Sequence, residues 1–169
     1  AVPGSRVLAT LDEVHARIRS DVAALETTPS FLDRLRGTGV LSVDRARRFG
    51  ALGPIGRASG LDDDARRRRP TDAYETLPPV AVATLDTRDA LARARVRWRE
   101  IDASMAIARA AVASLAGASA GPWSVSVPAT DGTAIGWAEA APGEVLYGLH
   151  LEDGRIRRCF ARSPTLHNL

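Results

Sequence analysis

The sequence predicts an α+β fold, mainly a helical bundle with one long helix at about residues 86–116 and a small antiparallel β-sheet at the C-terminal end. Three observations predict it. Leu91, Ala94, Trp98, Ile101, Met105, Ala108, Val112 and Leu115 recur at spacings of three and four, the period of a helix packed along a narrow apolar seam. Val145, Tyr147, Leu149 and Leu151 alternate along one face, and Asp153-Gly154 is a strong hairpin signal before Ile156–Ala161. The first 26 residues carry a second helical period through Val7, Leu11, Val14, Ile18, Val22 and Leu25.

The elements follow in order. Pro3, Gly4 and Ser5 read as a turn and N-cap, opening a helix that runs to about Glu26. Thr28 before Pro29 is a second cap with proline at the first helical position, and Gly37 can close that helix. Ser42 caps a third, running to Gly50. These make a helical segment over 1–50. Residues 51–79 have neither period and are expected to form a long irregular loop rich in arginine and aspartate. The long helix dominates 80–118, placed from Asp86 and roughly 45 Å long at 1.5 Å per residue, with Arg93, Arg97 and Glu100 outside its seam and Gly117, Gly121 and Pro122 ending it. Residues 123–169 hold the sheet, with Ala134–Ala140 as its first strand and a turn at Pro142-Gly143, and a tail that stops at Asn168-Leu169.

Composition excludes several chemistries. A chain of 169 residues can bury about 70% of its unfolded surface and needs no covalent staple. A single cysteine, Cys159, excludes an internal disulfide framework and any CxxC metal site made by this chain alone; in a strand it is expected to be a small buried hydrophobe. All 23 basic residues are arginine, so a lysine Schiff base and a GK[ST] phosphate loop are both excluded. No apolar run reaches the roughly 18 residues of a membrane span, Arg109 interrupting the only long candidate, and no signal-peptide pattern opens the chain. The start at Ala-Val-Pro-Gly without Met suggests a piece of a longer protein.

Three features could carry chemistry. GPIGRASG at Gly53–Gly60 could cradle an anion, but no strand precedes it and no helix clearly follows, so a structural loop is the favoured reading. Arg45–Arg69 holds eight arginines against three aspartates, which could meet phosphates; without interleaved aromatics, a solvated or subunit-facing patch is favoured. His15, His150 and His167 lack the spacing of a metal site.

Read in order, FLDRLRGTGVLS, LGPIGRASGLDDDARRRRPTDAYETL, the long helix and GWAEAAPGEVLYGLHLEDGRIRRCFARSPTLHNL resemble one family. It is the large subunit shared by membrane-bound NiFe hydrogenases of the hydrogenase-4 and formate hydrogenlyase type and by respiratory complex I, where it is the 49 kDa, quinone-site subunit of NADH-quinone oxidoreductase. The most specific pieces are Arg57–Gly60 with Asp64 and Arg66, Pro70 with Asp72–Thr76, and the closing EAxxGE, DG and RSPTxxNL elements. Where relatives read EAPRGE or EAPKGE, Glu139–Glu144 reads EAAPGE and lacks the basic residue. The segment after the long helix is shorter than the complex I pattern, which favours the hydrogenase-4-like branch.

The resemblance implies a peripheral subunit on the cytoplasmic side of the membrane, within an oxidoreductase complex that passes electrons from iron-sulfur clusters to quinone or to protons. Implied partners are a small iron-sulfur subunit and membrane-arm subunits; nucleic acid is not expected, and self-association of this piece through exposed apolar surface is a further expectation. A parent complex would use quinone, an iron-sulfur cluster in the partner and, where two CxxC pairs are present, a NiFe centre, but this stretch offers no cofactor or metal ligands and is expected to be inactive alone. Arg57, Asp64, Arg66 and Tyr74 are candidates for organising residues 51–79 at the iron-sulfur interface through charge-assisted hydrogen bonds. Arg162, Ser163 and Asn168 are candidates for positions near the reaction cavity. Two other readings stand beside this one: an arginine-rich module for nucleic acid or another acidic partner, and a cysteine-free scaffold paralogue.

Overall fold

The structure, a computed structural model, describes residues 4–115 and 130–168 together with 121, 124, 126 and 128. Helices α1 (Gly4–Glu26), α2 (Pro29–Leu35), α3 (Val43–Arg48), α4 (Gly53–Ala58) and α5 (Ala65–Arg68) come first, then a 3-10 turn at Asp72–Glu75 and the long α6 (Ala90–Ser114). Strands β1 (Gly132–Ala140), β2 (Gly143–Glu152) and β3 (Arg155–Arg162) form an antiparallel sheet in the order β1-β2-β3, followed by a single turn of helix, α7 (Thr165–Asn168).

The α+β architecture matches the sequence expectation, with adjustments: Ser5 lies inside α1 rather than capping it and Thr28 makes no side-chain cap bond to α2, and three further differences follow. Helix α6 begins at Ala90, because Asp89 is a better cap than Asp86: its carboxylate accepts from the N–H of Ala92 at 2.8 Å and from that of Gly37 at 3.0 Å. Arg88, just before, takes φ 64°, which ends any earlier helical turn. Residues 80–85 are not helical, and of the expected stop signals Gly117 and Pro122 lie outside the described residues. Segment 51–79 is not an irregular loop, since it contains α4, α5 and the 3-10 turn. These elements are too short to show a period, but each helix starts from a local signal: Pro54 sits in the first turn of α4, and Asp64 caps α5 by accepting from Arg66 N at 3.0 Å. Finally, Cys159 is exposed rather than buried, because none of the described residues packs over β3, which is exposed along nearly its whole length.

Helices α1 and α6 run antiparallel and are joined along their length by ion pairs. Arg95 grips Glu26 with two bonds of 2.6 and 2.7 Å, His15 Nε2 lies 2.6 Å from Asp102, and Arg109 reaches Asp12 at 2.7 Å. His15 therefore braces two helices. Burial on α6 is deep only near its start, at Leu91, Ala92 and Val96; of these only Leu91 belongs to the predicted seam, whose other members are half-buried or exposed, while Ala92 and Val96 pack with Ala58 of α4. Trp98 stacks on Phe31 of α2 with ring centroids 6.4 Å apart. Truncating the cap, Asp89→Ala, removes the acceptor for two backbone N–H groups in a buried place. It should cost about 1–2 kcal/mol in urea unfolding, and an unchanged midpoint would show the cap contributes nothing.

The sheet follows its turn chemistry. Asp153 and Gly154 have φ 51° and 67°, the left-handed pair of a tight hairpin turn whose twist suits the strands. A register shift at His150/Leu151 leaves Arg157 without a ladder partner.

Candidate functional site

The end of α4, the start of α5, the middle of α6 and the end of β1 converge on one guanidinium. Arg57, at 1% exposure, lies on α4. Its Nη1 donates to Asp64 at 3.1 Å, to the Asp63 carbonyl at 3.1 Å and to Glu139 at 3.3 Å, while its Nη2 donates to Glu100. Arg66 completes the group by clasping Asp64 with Nε at 2.9 Å and Nη2 at 2.6 Å, and it stands 3.7 Å from Glu100. The remaining oxygen of Glu139 accepts from the N–H of Ala65 at 3.1 Å, which ties β1 to the start of α5. Two arginines and three carboxylates thus share one interior.

Their electrostatics differ. Burial alone would push Asp64 up, but the hydrogen bonds and charge of Arg66, with Arg57 behind them, hold it below the usual carboxylate range. For Glu100 and Glu139 burial wins: it pushes both above the ordinary glutamate value of 4.5, against the pull of Arg57 on each. The consequence for stability has two signs. A glutamate raised on folding contributes stability that is complete below its unfolded value and is lost as pH rises through its folded value. The depressed Asp64 does the reverse, contributing above 3.8 and losing that contribution as pH falls through its folded value. The melting temperature should therefore rise as pH is lowered from neutral toward the ordinary glutamate value of 4.5, then fall below the ordinary aspartate value of 3.8. A melting temperature that falls monotonically from neutral pH would contradict this.

A cleft of about 460 Å³ opens beside the cluster, lined by Arg66, Tyr74, Arg97, Glu100, Ser104 and Glu139 among others. Of the four candidates in 51–79, Arg57 and Asp64 are interior, Arg66 joins them at the cleft wall, and Tyr74, 36% exposed, stands at the cleft with one face toward solvent. The run Arg66–Arg69 is not a free basic patch. Arg67 pairs with Asp62 and Arg68 with Asp63, each at 2.5 Å, and Arg69 pairs with Glu144 while lying 4.8 Å over the ring of Trp137.

The three tail candidates are held by the same region without entering the cleft beside Arg57. Arg162 donates to Glu144 at 2.8 Å, and Ser163 Oγ accepts from Thr165 N at 3.3 Å. Asn168 accepts from the N–H of Leu52 at 3.1 Å and donates to the Pro142 carbonyl at 3.0 Å, joining the start of α4 to the β1-β2 turn. That junction leaves no room for a side chain. A Cβ on Gly53, at φ 55°, would lie 2.4 Å from the Pro142 carbonyl oxygen, and one on Gly143 would lie 2.8 Å from the Cβ of Leu52.

Sequence reasoning missed Glu100 and Glu139 as site residues. Glu100 falls off the apolar seam, yet Ala92, Val96 and Glu100 are spaced four apart and share a face; that spacing is the signal the sequence carries, and the burial of Ala92 and Val96 emerges only in the fold. Glu139 belongs to a motif that the sequence displays, but nothing local says that its carboxylate meets a residue 82 positions earlier.

Residues 4–131 match the family described as respiratory-chain NADH dehydrogenase, 49 Kd subunit. The chain belongs to this family. It is 33% identical to the carbon monoxide-induced hydrogenase of Rhodospirillum rubrum over 162 residues, covering 94% of the chain and 44% of that relative. With an NADH-quinone oxidoreductase subunit of Syntrophobacter fumaroxidans it shares 35% identity over 146 residues, 82% of the chain and 38% of the relative. Its fold superposes, with a TM-score of 0.87 and 25% identity, on a chain of the membrane-bound sulfane sulfur reductase, an archaeal respiratory membrane complex, over 97% of this chain and 46% of that one. The family therefore spans hydrogenases and NADH-quinone oxidoreductases, and the chain spans less than half the length of these relatives.

Proposed function

We propose that the chain is a stretch of the large subunit of a membrane-associated oxidoreductase complex, of hydrogenase-4-like or NADH-quinone oxidoreductase type, and that the complex moves electrons from iron-sulfur clusters to quinone or protons. The observation that carries this reading is the double match, to a respiratory-chain dehydrogenase family over residues 4–131 and to a hydrogenase over 94% of the chain.

A nickel-iron centre does not fit the residues present. Such a centre takes soft thiolate ligands, while the sequence holds one cysteine, standing exposed on β3, and no group of three His, Cys, Asp or Glu among the described residues could hold a metal ion. This stretch contributes no ligand to it. Its role in the reading is structural: Arg57, Asp64 and Arg66 fix residues 51–79 from within, and the exposed side of Tyr74 is left to meet a small iron-sulfur subunit. Asn168 ties the tail to the start of α4, Arg162 ties β3 to Glu144 and Ser163 opens the last helical turn, and in this reading the three lie near the reaction cavity of the whole subunit. No helix among the described residues is long and apolar enough to cross a membrane, which suits a peripheral subunit on the cytoplasmic face, held by membrane-arm partners.

The test is purification of the full-length subunit in its complex. Iron-sulfur and membrane subunits should accompany it with quinone- or proton-reducing turnover, the 169-residue chain alone should show none, and Asp64→Ala should impair assembly. A full-length protein that purifies without partners, or turnover by the short chain, would overturn the reading.

A further inference from the structure

The cluster around Arg57 does not balance. Its interior holds two guanidiniums, Arg57 of α4 and Arg66 of α5, against three carboxylates, Asp64, Glu100 of α6 and Glu139 of β1. The side chains of Arg57, Asp64 and Glu139 are 1%, 0% and 3% exposed, and those of Arg66 and Glu100 13% and 15%. Of the charged groups on the adjoining clefts, Arg97 of α6 and Asp72 are solvent-exposed, and Arg69, which lines a second cleft with Glu139, is paired with Glu144. The fields of the exposed groups are screened by water and do not neutralise an interior charge. A buried excess of one negative charge is costly, and a carboxylate relieves it by taking a proton.

The contacts show which carboxylate is free to do so, since both oxygens of Glu139 are engaged by Arg57 and the Ala65 N–H. Asp64 receives two bonds from the Arg66 side chain, one from the Arg66 N–H and one from Arg57, so every lone-pair direction meets a donor. Glu100 is different: both of its arginine contacts fall on Oε1, and Oε2 has no partner among the described residues. Glu100 and Glu139 line the same cleft, with Tyr74 and Ser104 on its wall.

We propose that Glu100 takes up the proton that relieves this excess charge and exchanges it with solvent through the cleft at Tyr74 and Ser104, which makes this cluster a proton-exchange site. Burial pushes both glutamates up, and the charge of Asp64 acts on each in the same direction, so a proton on Glu100 relieves Glu139 as well. The site does not depend on the oxidoreductase reading, since it follows from charge count and enclosure alone.

Infrared difference spectra of the full-length subunit in its assembly, wild type against Glu100→Gln and Glu139→Gln, test it. At about pH 6, well above the ordinary glutamate value of 4.5, the wild type should show a protonated carboxylic acid band that is lost in either variant, because removing one carboxylate leaves two charges of each sign. The band should shift on transfer to deuterium oxide without unfolding. Glu100→Gln, which keeps an acceptor for Arg57, should also melt no lower than wild type at neutral pH. A wild-type spectrum with no such band, a band that survives in both variants, a proton that does not exchange in the folded protein, or a Glu100→Gln variant that melts well below wild type would each overturn the proposal.

Discussion

Replacing Arg57 by Met should destabilise the protein by about 3–5 kcal/mol, the range seen when one partner of a buried ion group is removed and the others are left behind. The loss is large because Arg57 is the centre of the group. Without it, three carboxylates face Arg66 alone, the Asp63 carbonyl loses a donor, and α4, α6 and β1 lose their common tie. Urea unfolding with the linear extrapolation measures it, and the loss should shrink as pH is lowered and the stranded glutamates are neutralised. Arg57→Lys should recover only part, since one ammonium cannot present two separate nitrogens to Glu139 and Glu100 at once. A midpoint within experimental scatter of wild type would show that the cluster is decorative.

The second large effect is expected at Gly53. Alanine there meets two penalties at once: a left-handed backbone at φ 55°, and a Cβ 2.4 Å from the Pro142 carbonyl oxygen, with the Gly143 Cα at 2.6 Å. The conformation alone costs about 1–3 kcal/mol. The contact is with backbone at a hairpin turn, so no side chain can swing aside, and the turn must move away from α4. A total of roughly 3 kcal/mol or more is expected, along with loss of the Asn168 bridge between Leu52 and Pro142. Gly37→Ala is the informative control, because that glycine also has positive φ but nothing within 4 Å of its would-be Cβ. Equal losses at Gly53 and Gly37 would show that the packing against Pro142 is unimportant.

These two positions also show what a sequence can and cannot disclose. Periodic elements are legible: α1, α6 and the β2-β3 hairpin carry enough repeats for the pattern to exceed chance, and Ser42 caps α3 where its hydroxyl oxygen accepts from Arg45 N. Segment 51–79 conceals its helices because elements of four and six residues complete too few turns to display a face. Its charge is legible but its destination is not. Arg57 and the Arg66–Arg69 run look alike in composition, yet one arginine is sealed inside and Arg68 is half-exposed, a difference set by Glu100 and Glu139 arriving from 43 and 82 residues away. The glycines of GPIGRASG suggest the freedom of a loop, whereas Gly53 and Gly56 are required by close approach: a Cβ on Gly56 would lie 2.6 Å from the Ala51 carbonyl oxygen. The family resemblance supplies what periodicity does not, by pointing to Arg57, Asp64 and Arg66 together.

The exposure of Cys159 has a practical side. It is the chain's sole thiol, paired in register with Leu149 of the central strand, and no lysine competes for thiol- or amine-directed reagents. A single fluorophore or spin label therefore lands on one known address in β3, without mutagenesis. From there, distances to a second probe placed on the helices can follow how the sheet seats itself on them as solvent acidity changes.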